Sequence, residues 1–227
     1  LYTHLNADPL AKVLLTGHIG VGKSTELLHL AQEMTKERLV IPASVSKTLG
    51  THNLDTFSLL LIILEASLQA WIEHFKELPA GLVEELVNQV QKLMPAGGAE
   101  DVFASNIPKI STGPQLLDLY SKALRRLAWR DVPPSQIATM DLSAMVESCE
   151  IVLKELANQS SRPVLLILDN LDKLRNNLAQ RDIFVERAMA WLRLPCGIVA
   201  TLPLKLLFSS QGRELDEIWG EIHILEP

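Results

Sequence analysis

The chain has 227 residues, 48% hydrophobic and 21% charged, the balance of a globular protein with a core and not of a disordered one. A formal net charge of -6 removes the broad basic surface that nonspecific nucleic-acid binding needs. Two cysteines, Cys149 and Cys196, with no C-x-x-C and no Cys/His spacing, offer neither a disulfide framework nor a zinc site. They fit buried thiols in a reducing cytosol, so a cytoplasmic location is expected.

Lys12-Val13-Leu14-Leu15-Thr16 is a short apolar run that stops at Gly17 and reads as a buried strand. Ser24 to about Arg38 reads as a helix, because Leu27, Leu28, Leu30, Ala31 and Met34 recur at helical spacing. Leu39 to Val45 reads as a second strand. Its Pro42 has no N–H to give to a ladder, which points to a sheet edge. From Leu54 to Ser160 the pattern is helical. Phe57 to Phe75 and Leu82 to Leu93 are split by Pro79-Ala80-Gly81. A loop from Pro95 to Pro114 leads to a third helix, Gln115 to Trp129. After the break at Pro133-Pro134 comes a fourth, Leu142 to Asn158.

The most apolar run, Leu59 to Leu64, ends at Glu65 and falls short of the roughly 20 residues that span a bilayer. A buried helix and no membrane partner are the expectation. Strands then return. Pro163 to Leu168 is a continuous apolar run, as for a strand covered on both faces. Asn177 to Leu192 reads as a helix, Gly197 to Thr201 as a strand and Ile222 to Leu225 as the last strand. Strands alternating with helices define an α/β protein with a parallel sheet. The chain starts at Leu1 without a methionine and stops just after a strand-like run, so a longer protein is expected, with its other domains as partners.

The segment Gly17-His18-Ile19-Gly20-Val21-Gly22-Lys23-Ser24 fits G-x-x-x-x-G-K-[ST] at every fixed position. A strand precedes it and a helix follows, which is the context the pattern requires. Gly17, Gly20 and Gly22 let the backbone curl so that several N–H groups, Val21 among their carriers, face one anion. The start of the helix turns its positive end the same way. Lys23 would place a charge on the β- and γ-phosphates, Ser24 a hydroxyl on Mg²⁺, and Thr25 would sit beside the α-phosphate.

Val164 to Leu168 delivers Asp169 at a strand end, where it would hold Mg²⁺ through the metal's water shell. The next residue, Asn170, cannot accept a proton. Asp172 is the following acid and has two readings: it faces the γ-phosphate and orients a water, or it caps the next helix. Thr201, at the end of its strand, also has two readings, as a polar contact sensing the γ-phosphate or as a hydroxyl satisfying local backbone. Arg175, Arg181, Arg187 and Arg193 form a solvated helix face or supply an arginine finger in trans.

The order of these motifs resembles the AAA+ and STAND group of P-loop ATPases, regulatory ATPases that include NACHT, apoptotic-ATPase and origin-recognition-like branches. Three stretches carry the likeness: VLLTGHIGVGKSTELL from Val13 to Leu28, VLLILDNLDKL from Val164 to Leu174, and GIVATLPL from Gly197 to Leu204. Within them, D-N-L-D-K looks like the D-x-h-D-[E/K/R] form of the acidic strand end in STAND proteins. The helical stretch from Leu54 to Ser160 lies outside the resemblance.

The resemblance implies a three-layer P-loop NTPase fold with a parallel sheet of order 5-1-4-3-2, and the helical pattern from Leu54 to Ser160 makes a helical insertion between strands 2 and 3 the expectation. It implies ATP or ADP with Mg²⁺, ATP preferred over GTP, and a nucleotide-dependent homo-oligomer that switches a larger protein in bacterial signalling or defence, while Asn170, with no base to offer, makes slow hydrolysis the expectation. The arginine that many NACHT proteins carry after the fourth strand is replaced by Thr201-Leu202-Pro203. A small-molecule kinase, a nucleotide-binding scaffold without turnover and a DNA-loading ATPase are the competing readings. Clustered lid arginines would favour the first of these, and none are seen.

Overall fold

Apolar strands and amphipathic helices alternate in a computed structural model that describes residues 1–45, 54–93, 115 and 142–226. Helix α1 (Tyr2–Ala7) precedes β1 (Lys12–Gly17), α2 (Lys23–Met34) and β2 (Leu39–Ser44). Helices α3 (Thr56–Phe75), α4 (Ala80–Leu93) and α5 (Ser143–Ser160) follow. Strand β3 (Val164–Asp169) runs into a 3₁₀ turn (Leu171–Lys173), α6 (Asn177–Arg181), a π turn (Asp182–Glu186) and α7 (Met189–Leu192). Then come β4 (Gly197–Thr201), α8 (Leu204–Leu207), α9 (Gly212–Trp219) and β5 (Ile222–Leu225). Apart from Gln115, the expected third helix and the loops flanking it lie outside the described residues.

All five strands are parallel, in the order β2-β3-β4-β1-β5, which is 5-1-4-3-2 read from the other edge. Pro42 lies opposite Ile167 on β2, which is an edge strand among the described residues, the position in a sheet that tolerates a missing N–H. Side chains alternate between faces with the two-residue period of a strand. Val13, Leu15, Leu165, Ile167 and Val199 pack with Leu27, Leu30 and Met34 of α2 and Leu5 of α1. Leu14, Leu166, Leu168, Ile198 and Ala200 pack on the other face, in the core that also takes in α3 and α5. Helices therefore cover both faces, and α3, α4 and α5 form the insertion between β2 and β3.

By length and composition alone α3 could cross a membrane, yet 72% of its apolar window is buried inside the fold. Leu59 to Leu64 are at most 5% exposed. Its first turn is fixed twice. The Asp55 carboxylate accepts the Ser58 amide at 2.8 Å, and the Asp182 carboxylate accepts the Thr56 amide at 2.8 Å and the Thr56 hydroxyl at 2.7 Å.

The expected single helix from Asn177 to Leu192 is broken, and Asp182 marks the break. The π turn bonds the Arg187 amide to the Asp182 carbonyl at 2.9 Å. The indole N–H of Trp191 donates to the Ile183 carbonyl at 2.8 Å, and that of Trp219 donates to the Phe184 carbonyl at 2.9 Å. Tertiary partners satisfy carbonyls that a regular helix would satisfy itself, so the irregular turn is tolerated.

Both cysteines are buried thiols: Cys149 on α5 donates to the Leu60 carbonyl at 3.3 Å, and Cys196 precedes β4. Burial pushes the Cys196 thiol up to about 12 and raises Cys149 as well. In the unfolded chain both ionise near 9.0. Above that pH the unfolded chain has shed protons that the folded chain keeps, so their contribution to stability falls as pH rises. Lys12, whose ammonium burial makes easier to deprotonate, works in the opposite sense. The expected result is that a Cys149→Ala/Cys196→Ala double variant loses less stability than the parent protein between pH 8 and about 10 in urea unfolding. Equal losses would show that the thiols ionise equally in both states.

Candidate functional site

Because the sheet is parallel, Gly17, Ser44, Asp169 and Thr201 all end their strands at one edge of it. Open α/β sheets bind ligands along that edge. The loop after β1 turns tightly into α2. Gly20 and Gly22 have φ of 86° and 98°, a left-handed conformation that a side chain resists, and Gly22 is the residue at which α2 begins. Gly17 is needed for another reason. A Cβ there would lie 2.8 Å from the Leu225 carbonyl oxygen and 3.0 Å from Val21 Cγ1. The first helical bond runs from the Glu26 amide to the Gly22 carbonyl at 2.9 Å, which leaves the amides of Lys23, Ser24 and Thr25 ahead of the helical ladder. Ser24 and Thr25 are exposed on this first turn, as are His18, Ile19 and Gly20.

Lys23 turns back under the loop. Its Nζ donates to the Gly17 carbonyl at 3.0 Å and to the His18 carbonyl at 3.0 Å. It also pairs with Asp172 Oδ2 at 3.1 Å, with the lysine side chain 8% and the aspartate side chain 15% exposed.

Asp172 lies in the 3₁₀ turn, and its backbone N–H donates to Thr201 Oγ1 at 3.3 Å. Thr201 is fully buried, and its hydroxyl oxygen accepts an amide 29 residues away in the chain. The capping alternative for Asp172 does not hold: the cap of α6 is Asn176, whose side chain accepts the Leu178 amide at 3.0 Å.

Asp169 is half-buried, and its Oδ1 accepts the Asn170 amide at 2.7 Å. Asn170 adopts φ of 70°, and its Nδ2 donates to Ser44 Oγ at 2.8 Å across to the neighbouring strand. Two bonds tie the end of β4 to β1: the Leu202 amide to the Leu15 carbonyl at 2.8 Å, and the Thr16 hydroxyl to the Leu202 carbonyl at 2.9 Å. Lys23, Asp172 and Thr201 are thus linked directly, and Asp169 sits one strand end away.

Three of the arginines serve ion pairs within the fold. Arg181 meets Glu186 at 2.8 Å, Arg187 meets Asp182 at 3.4 Å and Arg193 meets Glu150 at 2.9 Å, while Arg175 is exposed. Among the described residues no group of three or more His, Cys, Asp or Glu side chains is placed to hold a metal by itself. Sequence reasoning missed Ser44, a strand-end serine with no motif around it, and it missed the ion pair between Lys23 and Asp172. No protein-family model matches the chain, and no curated protein matches it.

Proposed function

We propose that this chain binds ATP, or ADP after turnover, together with Mg²⁺, as a regulatory ATPase module of the STAND or AAA+ kind that switches the conformation or assembly of a larger protein in bacterial signalling or defence. The observation that supports this most directly is the buried Lys23 ammonium under a loop with two left-handed glycines, at the strand-end edge that also carries Asp169.

In this reading the loop from Gly17 to Ser24, Val21 included, cradles the β- and γ-phosphates with its amides, and Thr25 lies beside the α-phosphate. Lys23 neutralises the phosphates, and Ser24 and Asp169 hold Mg²⁺. Thr201 contributes by fixing the turn that carries Asp172. Asp172 orients the attacking water, and Asn170, with no basic oxygen to offer, keeps hydrolysis slow. The module works in the cytoplasm with other domains of its own protein and forms a homo-oligomer when nucleotide is bound.

Thermal melting with ATP and Mg²⁺ tests the binding. Ligand at a hundredfold excess over Kd should raise stability by about 2.7 kcal/mol, and a melting curve unmoved by millimolar nucleotide overturns the proposal. Phosphate release at saturating ATP tests the chemistry. Asp172→Asn should lower the turnover rate by at least about a hundredfold, the scale of a lost general base. Unchanged turnover would remove Asp172 from the reaction.

A further inference from the structure

An ammonium group has three N–H donors and no acceptor. The three closest polar partners of Lys23 match that number: the Gly17 carbonyl at 3.0 Å, the His18 carbonyl at 3.0 Å and Asp172 Oδ2 at 3.1 Å. The two carbonyls are backbone groups, one at the end of β1 and one in the loop that the lysine closes. The carboxylate comes from the exit of a different strand and hangs on rotatable side-chain bonds. With the lysine 8% and the aspartate 15% exposed, water screens this pair far less than a surface pair.

The backbone holds Asp172 in this place. Thr201 Oγ1 accepts its amide at 3.3 Å, and the turn is closed by the Lys173 amide on the Asn170 carbonyl at 3.2 Å. Asn170 is anchored in turn on Ser44 at 2.8 Å. A phosphate oxygen that takes a hydrogen bond from Lys23 must take the place of one of three acceptors, and the Asp172 carboxylate is the one free to rotate away.

We propose that Asp172 is an internal counter-ion that competes with nucleotide phosphate for Lys23, so that binding is an exchange of anions and Asp172, held by Thr201, sets the affinity. This rests on the reading of Lys23 as a phosphate ligand. The exchange concerns only nucleotides whose phosphates reach Lys23, which are ATP and ADP and not AMP.

Fluorescence titration with an N-methylanthraniloyl-labelled ATP, and competition by ATP, ADP and AMP in the presence of Mg²⁺, tests it on the chain as it stands. Asp172→Asn keeps the shape and removes the charge. It should bind ATP and ADP at least about tenfold more tightly than the parent protein, with AMP competition unchanged. Thr201→Val leaves every charge in place and removes the tether. It should tighten ATP binding by about threefold and add nothing in the Asp172→Asn background.

Equal or weaker ATP binding by Asp172→Asn overturns the counter-ion role, as does weaker binding by Thr201→Val, which would make that hydroxyl a direct phosphate contact. If Asp172→Asn does not fold, the Thr201→Val titration decides alone. Binding by neither the parent nor any variant overturns the nucleotide reading itself, and equal binding by all overturns only the counter-ion.

Discussion

Lys23→Ala should weaken the binding of ATP with Mg²⁺ by at least about a hundredfold. A hydrogen bond from a charged donor contributes about 1.5–3 kcal/mol, and two phosphate groups would share this ammonium. The loss of both corresponds to two or more powers of ten in Kd. A second effect acts in the same direction. The ammonium is the ion-pair partner of the Asp172 carboxylate, and removing it leaves an anion only 15% exposed beside the incoming phosphates. The variant should still fold, because His18 is exposed and its carbonyl keeps the Val21 amide at 3.3 Å.

Lys23→Arg should not restore binding. A planar guanidinium does not fit the space that a compact ammonium fills between two loop carbonyls and a carboxylate, all within 3.1 Å. Isothermal titration calorimetry on the three proteins decides the matter. An alanine variant with the parent's affinity would show that the loop is a glycine turn into a helix and nothing more.

How far this site could be read from the sequence depends on how local each signal is. The strands from Lys12, Val164, Gly197 and Ile222 announce themselves as short apolar runs, and the glycines and lysine of the loop are fixed by spacing within eight positions. Pro42 disclosed an edge strand because the missing N–H is a property of one residue. Alternating strands and helices predict a parallel sheet but cannot rank its strands, so the order came from the resemblance of three stretches to a known family.

Features made by distant residues were not legible. The break at Asp182 depends on indoles from Trp191 and Trp219 and on the start of α3. The segment from Asn177 to Leu192 holds no glycine or proline to mark it, and the part that Trp191 plays within it appears only in the fold. Asp172 offered two roles, and the partner it has, Lys23, lies at the far end of the chain and becomes a neighbour only when β4 and β1 pair.

Arg38 is the sharpest case of a residue that spacing misrepresents, and it carries the largest expected effect on folding. Between a helix and a strand, an arginine reads as a solvated charge. Here it is 4% exposed, at the sheet end opposite the phosphate loop. Nη1 donates to the Pro9 carbonyl at 3.3 Å, and Nη2 donates to the Asp8 carbonyl at 3.3 Å and, more closely, to the Leu5 carbonyl. The guanidinium thus gathers the end of α1 and the lead into β1. Its space is shared with the first residue of β4: a Cβ on Gly197 would lie 2.9 Å from Nη1 and 3.0 Å from the Pro9 oxygen.

Arg38→Met keeps the stem and strands the Leu5 and Pro9 carbonyls, while the Asp8 carbonyl keeps the Ala11 amide at 3.2 Å. It should cost about 2–6 kcal/mol, since each of two buried carbonyls left without a donor costs about 1–3 kcal/mol. Gly197→Ala should also destabilise, by about 1–3 kcal/mol, because the added methyl overpacks this space. The two changes should not add. Once the guanidinium is gone, the methyl meets one obstacle fewer, so the double variant should be more stable than the sum predicts by at least about 0.5 kcal/mol. Urea unfolding of the parent, both single variants and the double variant gives the coupling directly. Strict additivity would mean that Arg38 and Gly197 do not compete for one space, and a cost below about 1 kcal/mol for Arg38→Met would mean that water reaches the stranded carbonyls in its place.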